Sequence, residues 1–346
     1  MLMKRTRLLL TMVATMLLTT TTLFAQGPND SGTYYANADG KKGAALKTAL
    51  CAIISEGHTS NSYNSLWEHF KTTDKREDGK VWDMYSGISN YTFGTDQAGN
   101  YSGEGETNGG KYNREHSFPN SWFGGNKQHI AYSDLFHLYP TDGKVNGMRS
   151  NYCFGENTGN KGKSINGFSK LGTCTYAGSG APTCFEPNDI YKGDFARTYF
   201  YMVTRYENEI VSWFQNYGNQ EGVSQTLAGN TYPGLNDWQV NMFIEWSKKD
   251  PIDQPVAKET PRNKAVYGIQ GNRNPFIDYP GLEEYIWGSL KDVAFSYDHY
   301  VVPASIMTVK TERTYMNGVM YNMAGQVVDK AYKGLVIMNG RKFVNK

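Results

Sequence analysis

Two short segments of the sequence contain side chains that could act on a phosphate ester. Glu115 and His116 are neighbours in the first segment, and Asn146 lies in the second. A neutral imidazole can accept a proton from water, and the oxygen atoms of Glu and Asn suit a hard cation such as Mg²⁺. Hydrolysis of a phosphodiester bond also needs a positive group beside the phosphate. Basic residues stand in both segments: Arg114, Lys144 and Arg149.

Glu115 and His116 can serve one site only under a local constraint. Adjacent residues of an extended strand point to opposite faces. The pair must therefore stand at the end of a strand or in a bent loop, and Pro119 favours such a bend. Taken alone, the composition favours polar residues on a surface loop, so the wider pattern has to decide.

That wider pattern resembles the bacterial endonuclease I family. The family carries an R-E-H run, then D-L-x-x-L-x-P, then V-N-x-x-R-S-N. The motifs stand here, in the same order, as Arg114-Glu115-His116, Asp134-Leu135-Phe136-His137-Leu138-Tyr139-Pro140 and Val145-Asn146-Gly147-Met148-Arg149-Ser150-Asn151. The resemblance extends over residues 44–288, and three separated motifs are far more specific than R-E-H alone.

The resemblance implies an α+β fold with a ββα-metal (His-Me finger) nuclease core surrounded by helices. In that core a hairpin presents the general base and a helix presents a metal-binding asparagine. Residue by residue, His116 is the base, and Glu115 and Asn146 hold Mg²⁺, with Mn²⁺ or Ca²⁺ as alternatives. The implied activity is that of a largely non-sequence-specific endonuclease on DNA, RNA or both, which leaves 5′-phosphate and 3′-hydroxyl ends.

The sequence leaves open which residue would hold the cleaved phosphate. Some family members carry an arginine between the base and the asparagine, whereas this interval contains lysines, Lys127 and Lys144, and no arginine. The phosphate could therefore be held by Arg149, which we place in the catalytic group, or by Lys144 or Arg273. Segment 270–276 (QGNRNPF) offers further donors for phosphate oxygens. The predicted substrate-binding residues are Arg114, Lys144, Arg273 and Asn274.

Other residues near the motifs favour a structural interpretation. His137 stands in an apolar run, which is typical of a packed, hydrogen-bonded histidine. Trp122 and Phe123 could stack on a nucleobase, but we expect them in the core. Asp194 falls in the first turn of a predicted helix, where a negative charge favours the helix dipole.

The elements that must position these residues are predicted to be mainly helical. Apolar residues recur with helical spacing in the stretches 44–54, 189–215, 236–249 and 259–270, with a shorter helix at 282–290. Residues 96–111 are rich in Gly, Asn and Glu, and they predict a loop.

The N-terminus has the form of a signal peptide, residues 1–25. Three basic residues precede an apolar stretch at 8–18, and cleavage is expected after Ala25. That stretch is too short to cross a bilayer of about 30 Å as a helix. The mature chain is therefore predicted to be secreted, without stable membrane insertion. Loss of the three positive charges changes the formal net charge from +2 to −1, so any phosphate binding needs a local basic cluster and a metal.

The four cysteines allow three disulfide connectivities in an exported chain. Cys174 and Cys184 flank a short Gly- and Ser-containing loop and are the pair easiest to close. Cys51 and Cys153 would then be bonded to each other or both be free. The absence of a C-x-x-C pair argues against a cysteine zinc site.

The C-terminal tail differs from the rest of the chain. From about residue 300 apolar and polar residues alternate, and Asn339-Gly340 between two apolar runs predicts a hairpin. We predict a nuclease domain at 26–296 and a small β unit at 300–346. The segments 320–326 and 333–342 resemble the C-terminal sorting domain of type IX secretion substrates, which implies contact with the secretion machinery.

A different class of function is also compatible with parts of the sequence. The richness in Tyr (25 residues) and Gly (37 residues) and the near-neutral charge fit a surface glycan-binding or adhesion protein without catalysis. A metalloprotease is disfavoured because H-E-x-x-H does not occur. For the nuclease we expect nucleic acid as substrate and a monomeric chain.

Overall fold

The computed structural model describes residues 26–100, 102–103, 110–254 and 257–304, and the backbone of the segments 320–322, 327–328, 333–338 and 341–345. The predicted signal peptide and the turn residues of the tail lie outside the described residues.

Ten α-helices are the main elements of the described residues. They are α1 (Gly43–Ser55), α2 (Leu66–Thr73), α3 (Gly143–Arg149), α4 (Lys192–Arg205), α5 (Ile210–Tyr217), α6 (Glu221–Thr226), α7 (Asp237–Lys249), α8 (Glu259–Gln270), α9 (Pro275–Asp278) and α10 (Leu282–Ile286). The predicted helices near 44–54, 236–249 and 259–270 are confirmed as α1, α7 and α8.

The predicted helix at 189–215 is two helices, α4 and α5. The chain turns at Tyr206, whose hydroxyl donates to the buried Asp134 carboxylate at 2.8 Å. Glu209, at the start of α5, contacts His129 at 2.5 Å. Both partners come from distant parts of the chain, so the apolar spacing along the sequence does not reveal the break.

The central helix is α4, which packs against α1 and α7. Its apolar side chains, together with aromatic residues from the surrounding elements, form one continuous core. Trp122 and Phe123 belong to this core, as predicted, with 0% and 4% of their surfaces exposed.

Three small antiparallel sheets accompany the helices. Strand β1 (Tyr112–His116) pairs with β2 (Leu138–Asp142), and α3 begins directly after β2. A second sheet contains β3 (Gly162–Lys163), β4 (Lys170–Gly172) and β5 (Cys184–Glu186). The β1–β2–α3 order places a helix beside the first sheet, and this unit carries all three residues implied as base and metal ligands.

The tail contains the third sheet, of β6 (Met320–Asn322), β7 (Val327–Val328), β8 (Gly334–Met338) and β9 (Arg341–Asn345), in the order β7-β6-β8-β9. Met338 and Arg341 are paired across β8 and β9, as a two-residue turn requires. The predicted β character of the tail is confirmed.

The helical body makes contacts beyond residue 296, the predicted boundary. Tyr300 donates to the Pro280 carbonyl at 2.9 Å, and Tyr285 donates to the Val301 carbonyl at 2.9 Å. The buried Phe295 packs edge-on against Tyr279. Residues up to 301 therefore complete the body, whereas the division into two domains stays a prediction.

All four cysteines are free thiols in the structure. Cys174 and Cys184 are nevertheless in contact: a hydrogen bond from Cys184 lowers the pKa of Cys174 to about 6. Cys51 instead donates to the Arg205 carbonyl at 3.5 Å. The Cys174–Cys184 disulfide stays a prediction, and the structure brings the two sulfur atoms together.

Within the part of the chain that is described, none of the helices combines the length and the apolar character needed to span a bilayer.

Candidate active site

Glu115 and His116 line the same cavity, which has a volume of about 490 Å³. His116 is the last residue of β1, and Pro119 follows in the bend that begins there. Within a continuing strand, the side chains of Glu115 and His116 would lie on opposite faces. Because β1 ends at His116, both side chains can reach the same cavity. The predicted placement at a strand end is confirmed.

One tautomer of His116 is selected by its surroundings. Nε2 lies 2.9 Å from the backbone carbonyl oxygen of Tyr132, which can only accept a hydrogen bond. The proton therefore resides on Nε2, and Nδ1 accepts from the Asn120 side-chain amide at 3.2 Å. Burial lowers the pKa of His116 to about 3, with a smaller contribution from nearby His137. The imidazole is thus neutral near pH 7 and its Nδ1 lone pair is available.

Glu115 is buried beside the Tyr85 hydroxyl and the Arg149 guanidinium. The Tyr85 hydroxyl donates to its Oε1 at 2.9 Å, and Arg149 Nη1 lies 3.4 Å from the same oxygen. Burial raises the pKa of Glu115 to about 7, and the charge of Arg149 opposes this shift only in part. A carboxylate in this state is stabilised by an added positive charge.

Asn146 reaches the cavity from α3. Asp142 caps the start of this helix, where its Oδ1 accepts from the backbone N–H groups of Lys144 and Val145 at 2.9 and 3.0 Å. The Asn146 side-chain amide donates to Asn113 Oδ1 at 2.7 Å. The N-terminal cap fixes the helix, and the helix carries Asn146 to the side of Glu115.

Arg114 is held by aromatic rings at the edge of the cavity. Its guanidinium carbon lies 3.6 Å from the ring centre of Tyr63 and 4.4 Å from that of Trp67. Nη1 donates to the Tyr63 carbonyl at 2.5 Å. The rings restrict the faces of the guanidinium, and its donors lie in its plane. This arrangement suits a phosphate group.

Arg149 also lines the cavity, but protein groups surround it. Its Nη2 donates to the Ser117 carbonyl at 2.6 Å and to the Tyr199 hydroxyl at 3.1 Å, and Nη1 donates to the His116 carbonyl at 3.3 Å. Only 1% of the residue is exposed. These contacts hold the end of β1 and place a positive charge beside Glu115. The assignment of Arg149 to the catalytic group stays a prediction.

Three predicted substrate-binding residues are not brought to this cavity. Lys144 is exposed on α3 but does not line the cavity. Arg273 is buried and forms two hydrogen bonds, of 2.6 and 2.7 Å, with Asp278. The Asn274 side chain accepts from Phe276 N–H at 3.0 Å and caps α9. The donors in segment 270–276 thus stabilise a buried turn, and their placement gives no support to a substrate contact.

His137 is packed and hydrogen-bonded, as predicted. Its Nε2 lies 2.6 Å from the Ala131 carbonyl, and none of its surface is exposed. Since Tyr132 is the next residue, this bond helps to fix the backbone carbonyl that orients His116.

Sequence reasoning gave no role to three residues that line the cavity, Tyr63, Asn113 and Asn120. Asn113 directly precedes the R-E-H run, and Asn120 follows it by four residues. Their position near the site could therefore have been inferred from the sequence. Tyr63 precedes α2, far along the chain, and no sequence signal connects it with the cavity.

Comparison with known proteins gives a consistent result. The family model described as Endonuclease I matches residues 42–281, more than half of the chain. An extracellular ribonuclease of Bacillus subtilis (strain 168) is 36% identical over 264 residues, covering 75% of this chain and 79% of the relative. An extracellular ribonuclease of Bacillus amyloliquefaciens is 34% identical over 276 residues, covering 77% and 84%. An extracellular deoxyribonuclease of Aeromonas hydrophila is 28% identical over 146 residues, covering 42% and 49%.

The family match spans the cavity and the helices that support it. It decides against the alternative of a glycan-binding protein without catalysis. The chain belongs to the endonuclease I family and is a nuclease, a hydrolase of phosphodiester bonds in nucleic acid.

Proposed function

We propose that this chain is a secreted, Mg²⁺-dependent endonuclease in which His116 is the general base and Glu115 and Asn146 hold the cation. The observation that carries the proposal is the convergence of these three side chains on one cavity, with His116 neutral and its Nδ1 directed to a side-chain amide rather than to the backbone. Mn²⁺ or Ca²⁺ could occupy the same position.

His116 is suited to take a proton from water at Nδ1. A water molecule that replaces the Asn120 amide at Nδ1 can donate to this nitrogen and attack the phosphorus atom. The resulting imidazolium keeps its bond from Nε2 to the Tyr132 carbonyl. This acceptor stabilises the positive ring and offsets part of the cost that burial places on it.

The residues present fit a hard divalent cation. A carboxylate and an amide oxygen are ligands that Mg²⁺ accepts, so Glu115 and Asn146 would hold the cation. Burial raises the pKa of Glu115 to about 7, so an added positive charge would favour its carboxylate form. When bound, the cation offsets negative charge on the phosphate and on the leaving oxygen.

Arg114 is the basic residue best placed to contact the phosphate. It lines the cavity and is half-buried, and its ring contacts hold the guanidinium in place. Attack by water on the phosphorus, with the 3′-oxygen as the leaving group, would leave 5′-phosphate and 3′-hydroxyl ends. Of the relatives compared, two are named as ribonucleases and one as a deoxyribonuclease, and we propose that this chain cleaves both RNA and DNA.

We also propose that the mature chain acts outside the cytoplasm as a monomer. The relatives are named as extracellular, and the N-terminal segment has the composition of a signal peptide. The tail would contact the secretion machinery through its β unit. No residue implied as base or metal ligand lies in that unit.

A cleavage assay with metal removal tests the proposal. The purified protein is incubated with plasmid DNA and with RNA, each in Mg²⁺ and in excess chelator. We expect cleavage in Mg²⁺, loss of cleavage in chelator and recovery when Mg²⁺ is restored. End labelling should find 5′-phosphates. Full activity in chelator would contradict the metal dependence, and 3′-phosphate ends would contradict the 3′-oxygen as the leaving group.

A further inference from the structure

We infer that Asn113 is a positioning residue that turns the side-chain oxygen of Asn146 toward the cation. The inference rests on the proposed function, because it concerns one of the two proposed ligands. Asn113 lies on β1, two residues before Glu115, and it contacts Asn146 directly. It also lines the cavity, although 6% of its surface is exposed.

The backbone carbonyl of Asn100 sets the orientation of the side-chain amides of Asn113 and Asn146. The nitrogen and oxygen of an asparagine side chain have nearly the same shape, so the hydrogen-bond partners must distinguish them. Asn113 Nδ2 lies 3.1 Å from the carbonyl oxygen of Asn100, which can only accept. Nitrogen must therefore face Asn100, and the Asn113 oxygen faces Asn146.

The orientation of the Asn146 side-chain amide is determined in turn by Asn113. Its group 2.7 Å from Asn113 Oδ1 must be a donor, and so it is Nδ2. The side chain of Asn146 also acts on Glu115, whose pKa it lowers against the larger effect of burial. With its amide nitrogen directed at Asn113, Asn146 has its oxygen left for another partner. An oxygen beside a buried carboxylate is a ligand for a hard cation.

The carbonyl that fixes this order is itself held in place. Gly143, the first residue of α3, packs against Asn100 so closely that a Cβ at position 143 would lie 2.9 Å from the Asn100 oxygen. The absence of a side chain at Gly143 thus permits the approach. The loop carbonyl, the strand residue Asn113 and the helix residue Asn146 form one hydrogen-bonded row across three elements.

Loss of Asn113 should weaken metal binding without removing a ligand. Groups that orient metal ligands are commonly worth about 10- to 100-fold in metal affinity. In Asn113→Leu, Asn146 has no acceptor at this position and its amide can turn over, which would direct nitrogen at the cation. In Asn113→Asp a carboxylate oxygen still accepts from Asn146, so binding should stay stronger than in the leucine variant.

The experiment measures Mn²⁺ binding to the full chain by the loss of the free-ion electron paramagnetic resonance signal. We expect the dissociation constant to rise by about 10- to 100-fold in Asn113→Leu and by less in Asn113→Asp. The Mg²⁺ concentration for half-maximal cleavage should follow the same order. If the leucine variant does not fold, Asn113→Ala makes the same comparison.

Asn263→Leu is the matched control. Asn263 is also buried, and it binds the backbone of Asn274, away from the cavity. We expect its loss to lower stability and leave Mn²⁺ binding unchanged. Wild-type Mn²⁺ affinity in the folded Asn113 variants would overturn the inference while the proposed function stands, provided that Glu115→Gln loses binding. Absence of Mn²⁺ binding in the wild type would overturn both.

Discussion

The helical body and the cavity of this nuclease both bury charged side chains. The two regions differ in how closely those charges are paired. In the helical body Arg273 meets Asp278 through two short hydrogen bonds, and Arg197 meets Glu259 in the same way. In the cavity the nearest cation to Glu115 is Arg149 at 3.4 Å, and most of the Arg149 donors are directed at backbone oxygens.

The pKa values record this difference. In the body, Asp278 raises the pKa of Arg273 against the effect of burial. In the cavity, burial dominates and moves Glu115 to about 7 and His116 to about 3, so that both groups favour their neutral forms. Closely paired charges stabilise a fold, whereas buried groups whose pKa is shifted toward the neutral form can respond to a substrate or a cation.

The largest effect is expected from the cavity. His116→Ala should reduce the cleavage rate by about 10²- to 10⁴-fold, the usual contribution of a general base. The fold should persist because the ring is held mainly by one backbone carbonyl and one amide. Initial rates on RNA and DNA, with circular dichroism as the folding control, provide the measurement. A rate near that of wild type would remove His116 from the mechanism.

The matching change in the body should affect stability instead. Arg273→Met leaves Asp278 as a buried carboxylate without its partner, which typically costs about 3–5 kcal/mol. Urea unfolding should show this loss, while the specific activity of the folded variant stays unchanged. The opposite result, normal stability with weak substrate binding, would return Arg273 to the substrate-binding group predicted from sequence.

Two buried carboxyl groups allow a finer comparison. Burial raises the pKa of Glu115 and of Glu283 from 4.5 to about 7. A raised pKa means that the folded state binds the proton more tightly than the unfolded state does. Each group therefore contributes fully to the free energy of unfolding below about pH 4.5, and this contribution is lost as the pH rises through 7. Relative to Glu115→Gln or Glu283→Gln, metal-free wild type should lose about 3 kcal/mol over this window.

Mg²⁺ distinguishes these two carboxyl groups. At pH 7.5 added Mg²⁺ should raise the melting temperature of wild type and of Glu283→Gln, but not that of Glu115→Gln. Thermal unfolding across pH 4–8, with and without Mg²⁺, is the measurement. His116 titrates in all three proteins, so its opposite contribution cancels. An equal Mg²⁺ response in both variants would place the cation elsewhere.

The thiol pair of the β5 region should contribute less. Oxidation of Cys174 and Cys184 to a disulfide closes a loop of about ten residues and is expected to add about 2–3 kcal/mol. Non-reducing peptide mapping of the exported protein should find this bond. A bond from either residue to Cys51 would contradict the contact between the two sulfur atoms.

The smallest effect is expected from the tail. A chain that ends after Ala304 keeps Tyr300 and Val301, which bind the body, and should cleave nucleic acid at the wild-type rate. A chain that ends at Ser296 lacks these contacts and should melt at a lower temperature. Loss of activity in the longer form would show that the tail belongs to the nuclease fold.

Glu115, His116 and Asn146 were predicted to share a site because their order and spacing match a family pattern, and the structure places all three at one cavity. Adjacency near a proline indicated the strand end. Most of the long helices were found because a helix buries one face at a regular spacing.

The remaining residues depend on contacts between distant segments. Arg273 and Asn274 have the chemistry of phosphate ligands, and only the fold shows that their partners are Asp278 and Phe276. Tyr63 enters the site through the ring that it places on Arg114. Neither spacing nor composition reports which buried donor already has a partner.

The orientation of His116 has a genetic consequence. Its Nε2 partner is the main-chain oxygen of Tyr132, an atom that every amino acid possesses. No codon change at position 132 can delete it, although the ring of Tyr132, centred 4.7 Å from that of His116, limits the sizes that fit. A mutational scan should therefore find position 116 intolerant of every replacement and position 132 tolerant of other large side chains. The tautomer on which the proposed base depends is set by the path of the main chain rather than by any one codon.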